Sequence, residues 1–429
     1  MHPSPLQHPN FSLDASGVAG FFGGDEAVVA MATVHIYEGR QWLGWYNSPG
    51  AYEIGKRYGQ LANSRFWDGL FPGANLDPAV LFELDGLKGP KYRGFSSGTI
   101  LPHTGHIGSL FTSACREVEG ITVPGRQSRS TWVTVAELKY IPPHTMNPQR
   151  LRTYSPLLAS IPIGASVVTC ALCGVFEDWY CFSMILLGIV SSGLSCYTIG
   201  SGKFTFSHPK PAEGAPKGDG LMFEDTGIIV IKGDEAAVNA VTRGRFSLEF
   251  KSAPVYRNIG LCSLLLTLQF VAQLLLIPQG SLFGQLMFVA SLAVAWMYNS
   301  YLSSLEKERV QADILMEHVL HKPSMKKYIF GTRTTTAVFT VLVLDPADPI
   351  KALRDIIPND TRVWKMWREM VGERIGNREK LGRDSLMSMI NCDFDALAED
   401  EKKLMGDLLQ DSETGYGAYL QHCGSVLNV

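Results

Sequence analysis

The stretch YSPLLASIPIGASVVTCALCGVFEDWYCFSMILLGIVSSGLSCYTIG, residues 154–200, decides the fold because it contains two long apolar runs. The first extends from Tyr154 to Phe176 and the second from Trp179 to Gly200, and only Glu177 and Asp178 separate them. Neither run has a charged residue in its interior, and each approaches the roughly 20 residues that a helix needs to cross the hydrocarbon core of a bilayer. The stretch therefore predicts a hairpin of two transmembrane helices.

A second pair of apolar runs has the same form. It extends from Ile259 to Ile277 and from Ser281 to Leu302, and a short Pro-Gln-Gly break separates the two runs. Charged residues make up only 18% of the chain, below the roughly 25% of a typical soluble domain. We therefore expect a polytopic α-helical membrane protein with four spans, arranged as two hairpins, and with cytosolic α+β parts.

The flanks of the four runs predict their orientation. The two short turns carry no Lys or Arg, whereas Arg150, Arg152, Lys203, Arg257 and Lys307 flank the runs on the other side. The positive-inside rule then places both termini and the central loop in the cytosol, in an endomembrane or the plasma membrane. The residues expected to anchor the spans at the two interfaces are Tyr154, Trp179, Tyr197, Lys203, Tyr256 and Tyr301.

The sequons that begin at Asn10 and Asn359 would be cytosolic and unglycosylated in this orientation. A glycosidase-sensitive mass shift at either of them would contradict it.

The polar parts of the chain divide around the two hairpins. Residues 1–30 are rich in Gly, Pro and Ser and are expected to be disordered, and Met31 is an alternative start to Met1. The remaining segments are a cytosolic mixed α/β region (31–153), hairpin 1 (154–200), a cytosolic loop with a small β-α-β unit (201–257), hairpin 2 (258–302), a cytosolic helix and long strand (303–345), and a helical acidic tail (346–429).

Five segments carry predictions of strands, and three of them are Trp132 to Tyr140, Ile228 to Ile231 and Arg245 to Phe250. Thr33 to Tyr37 is rich in β-branched residues, as strands are. Tyr328 to Leu344, YIFGTRTTTAVFTVLVL, reads as a long strand that pairs with the central loop, and a re-entrant membrane segment is the alternative.

Several motifs suggest activities without meeting their requirements. Gly200-Ser-Gly-Lys203 lacks the first Gly and the final Ser or Thr of a phosphate-binding loop. The net charge of −3 gives no electrostatic case for nucleic-acid binding. Gly94-Phe-Ser96-Ser-Gly98 matches GxSxG, but its flanks do not predict the strand–turn–helix of a nucleophile elbow.

His103 and His106 have a spacing found in metal sites, but a zinc site needs three or four ligands. They are weak candidates, and the sequence predicts no catalytic residues, metal or cofactor.

Three glutamines lie within the second hairpin. Gln269 and Gln273 are one helical turn apart on the third span, and Gln285 is on the fourth. Polar residues of this kind hydrogen-bond between transmembrane helices, so we expect helix–helix contacts at all three. No ionisable group or helix break marks a substrate pathway in the four runs.

Four stretches carry a resemblance: KGDEAAVNAVTRGRFSLEF (232–250), LLLIPQGSLFGQLMFVASLAVAWMYNSYLSSLEKE (274–308), YIFGTRTTTAVFTVLVL (328–344) and PNDTRVWKMW (358–367). They resemble a group of uncharacterised multi-pass membrane proteins of basidiomycete fungi, from about Met31 into the tail. The resemblance implies membrane class and fungal origin, and it carries no functional residues.

The leading hypothesis is a membrane-anchored scaffold or interaction protein that faces the cytosol. Its partners would be the lipid bilayer and a protein that binds the C-terminal tail, and nucleic acid is not among them. The alternatives are a small-solute or lipid conduit through the bundle, with the three glutamines inside it, and a membrane-bound enzyme that uses Ser96 or the two histidines.

Overall fold

The computed structural model describes residues 23–62, 65–72, 77–142, 146, 148, 155–250, 253–377, 386 and 397–426. Its helices, in chain order, are α1 (Gly24–Ile36), α2 (Ala51–Leu61), α3 (Arg65–Leu70), α4 (Pro78–Leu81), α5 (His106–Glu117), α6 (Ser155–Val175), α7 (Trp179–Gly200), α8 (Glu235–Thr242), α9 (Ala253–Leu276), α10 (Leu282–Ser303), α11 (Lys307–Ile314), α12 (Arg333–Leu344), α13 (Pro349–Ile356), α14 (Arg362–Gly376) and α15 (Glu399–Val426).

The strands are β1 (Lys91–Gly94), β2 (Ile100–Leu101), β3 (Gly120–Thr122), β4 (Thr131–Glu137), β5 (Lys203–Ser207), β6 (Gly220–Phe223), β7 (Gly227–Lys232), β8 (Arg245–Glu249) and β9 (Ser324–Phe330). Short 3-10 turns occupy Arg40–Trp42 and Ile277–Gln279, and a π-helical turn, Leu315–Val319, follows α11.

The chain divides into two compact units. We call Met1–Gly86, Thr145–Ser207 and Phe246–Ile314 the helical unit, and we call Leu87–His144, His208–Arg245 and Leu315–Val429 the sheet unit.

The helical unit contains the four predicted apolar helices, α6, α7, α9 and α10, which we call the bundle helices. By length and composition, each could cross a membrane. The pair α6 and α7 is joined through Glu177 and Asp178, and the pair α9 and α10 through the 3-10 turn. α7 packs against α6 and α9, and α10 packs against α6 and α7. The prediction of four long apolar helices in two hairpins is therefore confirmed.

Two N-terminal helices also belong to the helical unit. α1 packs along α10, and α2 packs along α9. The predicted strand over Thr33–Tyr37 is wrong, because Thr33–Ile36 completes α1 and is fully buried there. Because this end of α1 is buried on all sides, its apolar residues do not follow the 3.6-residue period by which a surface helix with one apolar face is identified in a sequence. The predicted disordered N-terminus overlaps the start of α1 at Gly24, and residues 1–22 lie outside the described part of the chain.

The sheet unit is built on a mixed seven-stranded sheet with the order β2-β1-β6-β7-β4-β9-β3. β4 runs parallel to β7, β3 runs parallel to β9, and the other neighbours are antiparallel. Thr134 of β4 donates to the Cys115 carbonyl of α5 at 3.1 Å, which places α5 on one face. The alternate residues Val133 and Val135 join a buried core with α12, α13, α14 and α15 on the other face.

The predicted long strand over Tyr328–Leu344 is wrong in its second half and in its pairing. β9 ends at Phe330 and pairs with β4 and β3, and α12 begins three residues later. Thr332 caps this helix by accepting a hydrogen bond from Thr335 N at 3.2 Å. Every residue from Thr334 to Leu344 is buried, so tertiary packing overrides the strand preference of the Val and Thr side chains. The re-entrant alternative is also wrong, because this helix lies in the core of the sheet unit.

Where the structure describes it, the C-terminal tail is mainly helical, as predicted, and its last helix packs on other helices. α15 packs on α12 and α14. Trp367 Nε1 donates to Ser412 Oγ at 2.9 Å, and Arg126 Nη2 pairs with Asp411 at 2.6 Å. One face of α15 is therefore part of the core.

The central loop forms β6, β7 and α8 of the sheet unit. The strand after α8, β8, pairs with β5 in a separate two-stranded ribbon. Lys203 begins β5, so the Gly-Ser-Gly-Lys run leads from a helix into a strand and does not form a phosphate-binding loop.

Candidate functional site

A segment without regular secondary structure lies among the bundle helices. It comprises Leu43–Gly50, between the 3-10 turn and α2, and we call it the inserted segment. The Asn47 backbone N–H donates to Ser166 Oγ at 2.9 Å, and Asn47 Nδ2 donates to Ser291 Oγ at 2.8 Å. Ser166 and Ser291 lie near the middle of α6 and α10, so the inserted segment reaches the middle of the bundle.

Small residues on α7 make room for the inserted segment. Gly188, Ser192, Cys196 and Gly200 follow one another at four-residue spacing and so share one face of the helix. A Cβ atom added at Gly188 would overlap Asn47 Oδ1, and one added at Gly193 would overlap the Trp45 ring. This face of α7, which could have packed against another helix, instead receives irregular backbone.

Hydrogen bonds extend the polar region from the inserted segment toward the C-terminal ends of α7 and α10. Tyr46 Oη donates to Asn299 Oδ1 at 2.8 Å, and Asn299 Nδ2 donates to Ser48 Oγ at 3.2 Å. Arg40 Nη2 donates to Tyr46 Oη at 3.3 Å, and the guanidinium also lies over the Tyr298 ring at 5.4 Å from its centre. The Arg40 side chain is buried, with only 1% of the residue exposed.

Two of the predicted glutamines continue the same region between α9 and α7. Gln269 accepts a hydrogen bond from Ser191 Oγ and donates to Gln273 Oε1 at 3.3 Å. Gln273 Nε2 donates to the Met184 carbonyl at 3.2 Å. A Cβ atom added at Gly188, which would overlap Asn47, would also lie 3.3 Å from this nitrogen, so Gln273 borders the inserted segment. The residues that we call the polar core are Tyr46, Asn47, Ser48, Ser166, Ser191, Gln269, Gln273, Ser291 and Asn299, with Arg40 at one end.

Gln285 lies apart from the polar core. Its Nε2 donates to the Gly280 carbonyl at 3.1 Å, so it stabilises the turn between α9 and α10.

Asp178 connects the turns of the two hairpins. Its carboxylate accepts from Cys181 N at 3.1 Å, from Ser281 N at 2.8 Å and from Ser281 Oγ at 2.6 Å. Asp178 is the N-cap of α7 and Ser281 is the N-cap of α10, so one carboxylate serves the first turns of two helices.

The predicted interfacial anchors lie at the ends of the bundle helices. Trp179, Tyr197 and Tyr301 are exposed, Lys203 is exposed, and Tyr256 is half-buried. Trp42 lies beside these residues, since the centre of its ring is 4.8 Å from the centre of the Tyr197 ring. Tyr154 lies outside the described residues.

The candidates for catalysis and metal binding do not form a site. His103 is exposed, whereas His106 is buried at the start of α5 and its Nδ1 accepts from Leu87 N at 3.4 Å. Within the described residues, no group of three or more His, Cys, Asp or Glu side chains could hold a metal ion. Ser96 lies in the turn between β1 and β2, and no helix follows it as a nucleophile elbow requires.

The sheet unit has a polar cavity of about 380 Å³ beside α5. Arg116 on its wall makes a bidentate pair with Glu224, at 2.7 and 2.8 Å. Because these two charges compensate each other, the cavity offers less to a charged ligand than the polar core does.

Comparison with known proteins adds no family to this description. No protein-family model matches the chain, and neither a curated protein nor a solved structure matches it. We therefore infer a function from the geometry of the polar core.

The inserted segment and Arg40 are the functional features that the sequence prediction missed. Pro and Gly recur through residues 31–153, so residues 40–50 were predicted as part of a turn-rich cytosolic region. A signal was present in α7, where the four-residue repeat of small residues indicates close approach of another backbone.

Proposed function

We propose that the protein is an integral membrane protein whose four bundle helices enclose a path for small polar solutes. The inserted segment is the observation that supports this proposal. In the hydrocarbon core, irregular backbone is tolerated only where protein buries it or where it lines an aqueous cavity. Secondary transporters place their binding sites where irregular backbone lies near the midplane of the bilayer, and the inserted segment brings irregular backbone to the middle of the bundle. The sequence of the four apolar runs shows neither a charged residue nor a helix break, which are two features of a substrate pathway. The buried Arg40 supplies a charged residue, and the inserted segment supplies irregular backbone.

The proposed orientation has both termini in the cytosol, with the anchoring residues in the two interfaces. It is supported by the absence of Lys and Arg from the two short turns and by the exposed aromatic residues at the ends of the bundle helices. In this orientation Arg40 lies toward the cytosol and Asp178 toward the opposite side.

Flux through proteoliposomes tests the proposal. Purified protein would be reconstituted and the entry of glycerol followed by light scattering. We expect the wild type to exceed empty vesicles, and Asn47→Leu and the double variant Gln269→Leu/Gln273→Leu to reduce the excess by about tenfold, since each puts apolar groups into a polar path.

The matched control is Leu268→Ala, which changes an exposed residue beside Gln269 on the same helix. Elution as a single folded species would be checked for each variant. A wild type that admits no more glycerol than empty vesicles would contradict the conduit, as would full flux in the two folded polar-core variants.

A cytosol-facing scaffold is the second candidate, and α15 favours it. The first turn of this helix carries Glu399, Asp400 and Glu401, and the first two are exposed, while the opposite face packs in the core. A rigid acidic helix end suits a basic protein partner.

The scaffold can be tested with point variants. Truncation after Asp345 would remove α13–α15 and uncover the core, so Glu399→Gln/Asp400→Asn is the better probe. A protein that copurifies near stoichiometry from native membranes and is lost with this variant would support the scaffold. Unchanged copurification would rule out this helix end as the docking site.

A further inference from the structure

Arg40 carries a buried charge that the described residues do not compensate. Its Nε and Nη1 atoms are buried and make no hydrogen bond to the described part of the chain. The partners of the side chain there are the Tyr46 hydroxyl and the Tyr298 ring, which are both neutral. No described carboxylate lies within ion-pairing distance of the guanidinium. A buried cation without an anionic partner is strongly unfavourable, so this site requires negative charge.

The location of Arg40 places it at one end of the polar core. The Arg40 carbonyl accepts from Cys196 Sγ at 3.6 Å, and its hydrogen-bond partner Tyr46 bonds to Asn299. Cys196 and Asn299 each lie four residues before the end of their helices, Gly200 and Ser303. At a rise of about 1.5 Å per residue, this level is roughly 6 Å inside the end of the bundle.

The other charged side chain that is buried in the described helical unit cannot balance Arg40. Asp178 lies at the opposite ends of α7 and α10, where it is engaged by three hydrogen bonds as a cap. The members of the polar core between them are neutral amides and hydroxyls. A path with an unpaired cation at one end and neutral donors along it favours anions and repels cations.

We propose that Arg40 is a binding site for small anions at the cytosolic end of the polar core and makes the path anion-selective. This inference rests on the proposed conduit. The unpaired nitrogen atoms would donate to the anion, and the neighbouring Tyr46 hydroxyl, already bonded to the guanidinium, fixes the orientation of the side chain. The ligand class comprises halides and small oxyanions such as inorganic phosphate.

The test compares three probes in proteoliposomes: chloride, inorganic phosphate and glycerol. We expect Arg40→Gln to lower chloride and phosphate flux by about tenfold or more, because a hydrogen bond to a charged group is lost, and to lower glycerol flux by less, so that the ratio of anion to glycerol flux falls. Arg309→Gln is the matched control, since it removes one positive charge from an exposed site of the same unit and should leave all three fluxes unchanged.

The outcomes separate the two proposals. No flux of any probe in the wild type would overturn the conduit and this inference with it. Glycerol flux without anion flux, or anion flux that Arg40→Gln does not change, would overturn the anion site alone. If Arg40→Gln does not fold, Arg40→Lys decides: a changed ratio of chloride to phosphate flux supports the site, and an unchanged ratio contradicts it.

Discussion

At the scale of single residues, buried polar groups carry most of the specificity of this protein. Asn47 bonds to Ser166 on α6 and Ser291 on α10, Asp178 bonds at the starts of α7 and α10, and Arg40 bonds to Tyr46 of the inserted segment. A buried polar group whose partner is removed costs about 1–3 kcal/mol, so these residues fix one arrangement of the bundle. Their effects on stability can be measured separately from any transport activity.

Replacement of Asp178 by Ala is expected to destabilise the helical unit by about 2 kcal/mol, because loss of one N-cap costs about 1 kcal/mol and this carboxylate contacts the first turns of two helices. Thermal unfolding of the purified protein in mild detergent measures the effect. Glu177→Gln changes the exposed neighbouring carboxylate and should leave the midpoint unchanged. Equal midpoints for Asp178→Ala and the wild type would show that the two turns are held by other contacts.

The buried His422 is expected to make the free energy of unfolding of the sheet unit depend on pH. Its Nδ1 shares a hydrogen bond with the Tyr328 hydroxyl at 2.9 Å. Burial lowers the pKa of His422 below its ordinary value near 6.5, and the positive charge of Lys326 is the second largest cause of this shift. Glu137 opposes this shift and Lys232 adds to it. Because the unfolded chain then takes up the proton first, the free energy of unfolding falls as the pH drops below about 6.5.

The expected slope is at most about 1.4 kcal/mol per pH unit, and it ends below the folded-state pKa. Unfolding of the full chain would be measured at about pH 7.5 and about pH 5.5, and His422→Gln should lose less stability between them than the wild type. Identical pH dependence in the two proteins would exclude His422 as the cause.

At the scale of elements, the four bundle helices follow directly from the length of the apolar runs. β7 and the strand at Trp132 were also predictable, because short β-branched runs between turn residues are typical of strands. α12 was not predictable from its β-branched residues, since burial among α15 and the sheet decided its conformation. The pairing of β8 with β5, outside the main sheet, has no local signal.

The close fit of the inserted segment against α7 predicts a large effect of a small change. Gly188→Ala would place a methyl group on Asn47 Oδ1, and overpacking of this kind costs about 1–3 kcal/mol. We expect a lower thermal midpoint and reduced glycerol flux. Gly164→Ala on α6 is the matched control, since its added Cβ would have no atom within 4 Å.

Greater helix propensity should make Gly164→Ala neutral or slightly stabilising. If Gly188→Ala behaves in the same way, α7 does not receive the inserted segment at this level.

At the scale of the whole molecule, the sequence shows that two different kinds of structure share one chain. A mean hydropathy of +0.05 averages four long apolar helices with a polar sheet unit. Windows of about 20 residues find the helices, but they cannot find Leu43–Gly50, whose apolar surroundings are distant in sequence. For this reason Gln269 and Gln273 were foreseeable members of the site, whereas Asn47 and Arg40 were not.

The position of the inserted segment is the central claim, and hydrogen exchange tests it most directly. The full chain would be placed in lipid nanodiscs, and exchange would be followed in peptides that cover residues 40–50. An exposed segment without helix or strand exchanges rapidly, whereas buried and hydrogen-bonded amides exchange only when the structure opens. We predict that the amides of residues 40–50 are protected from exchange to an extent comparable to those of α7. Exchange as fast as that of the exposed loop at residues 212–217 would contradict it.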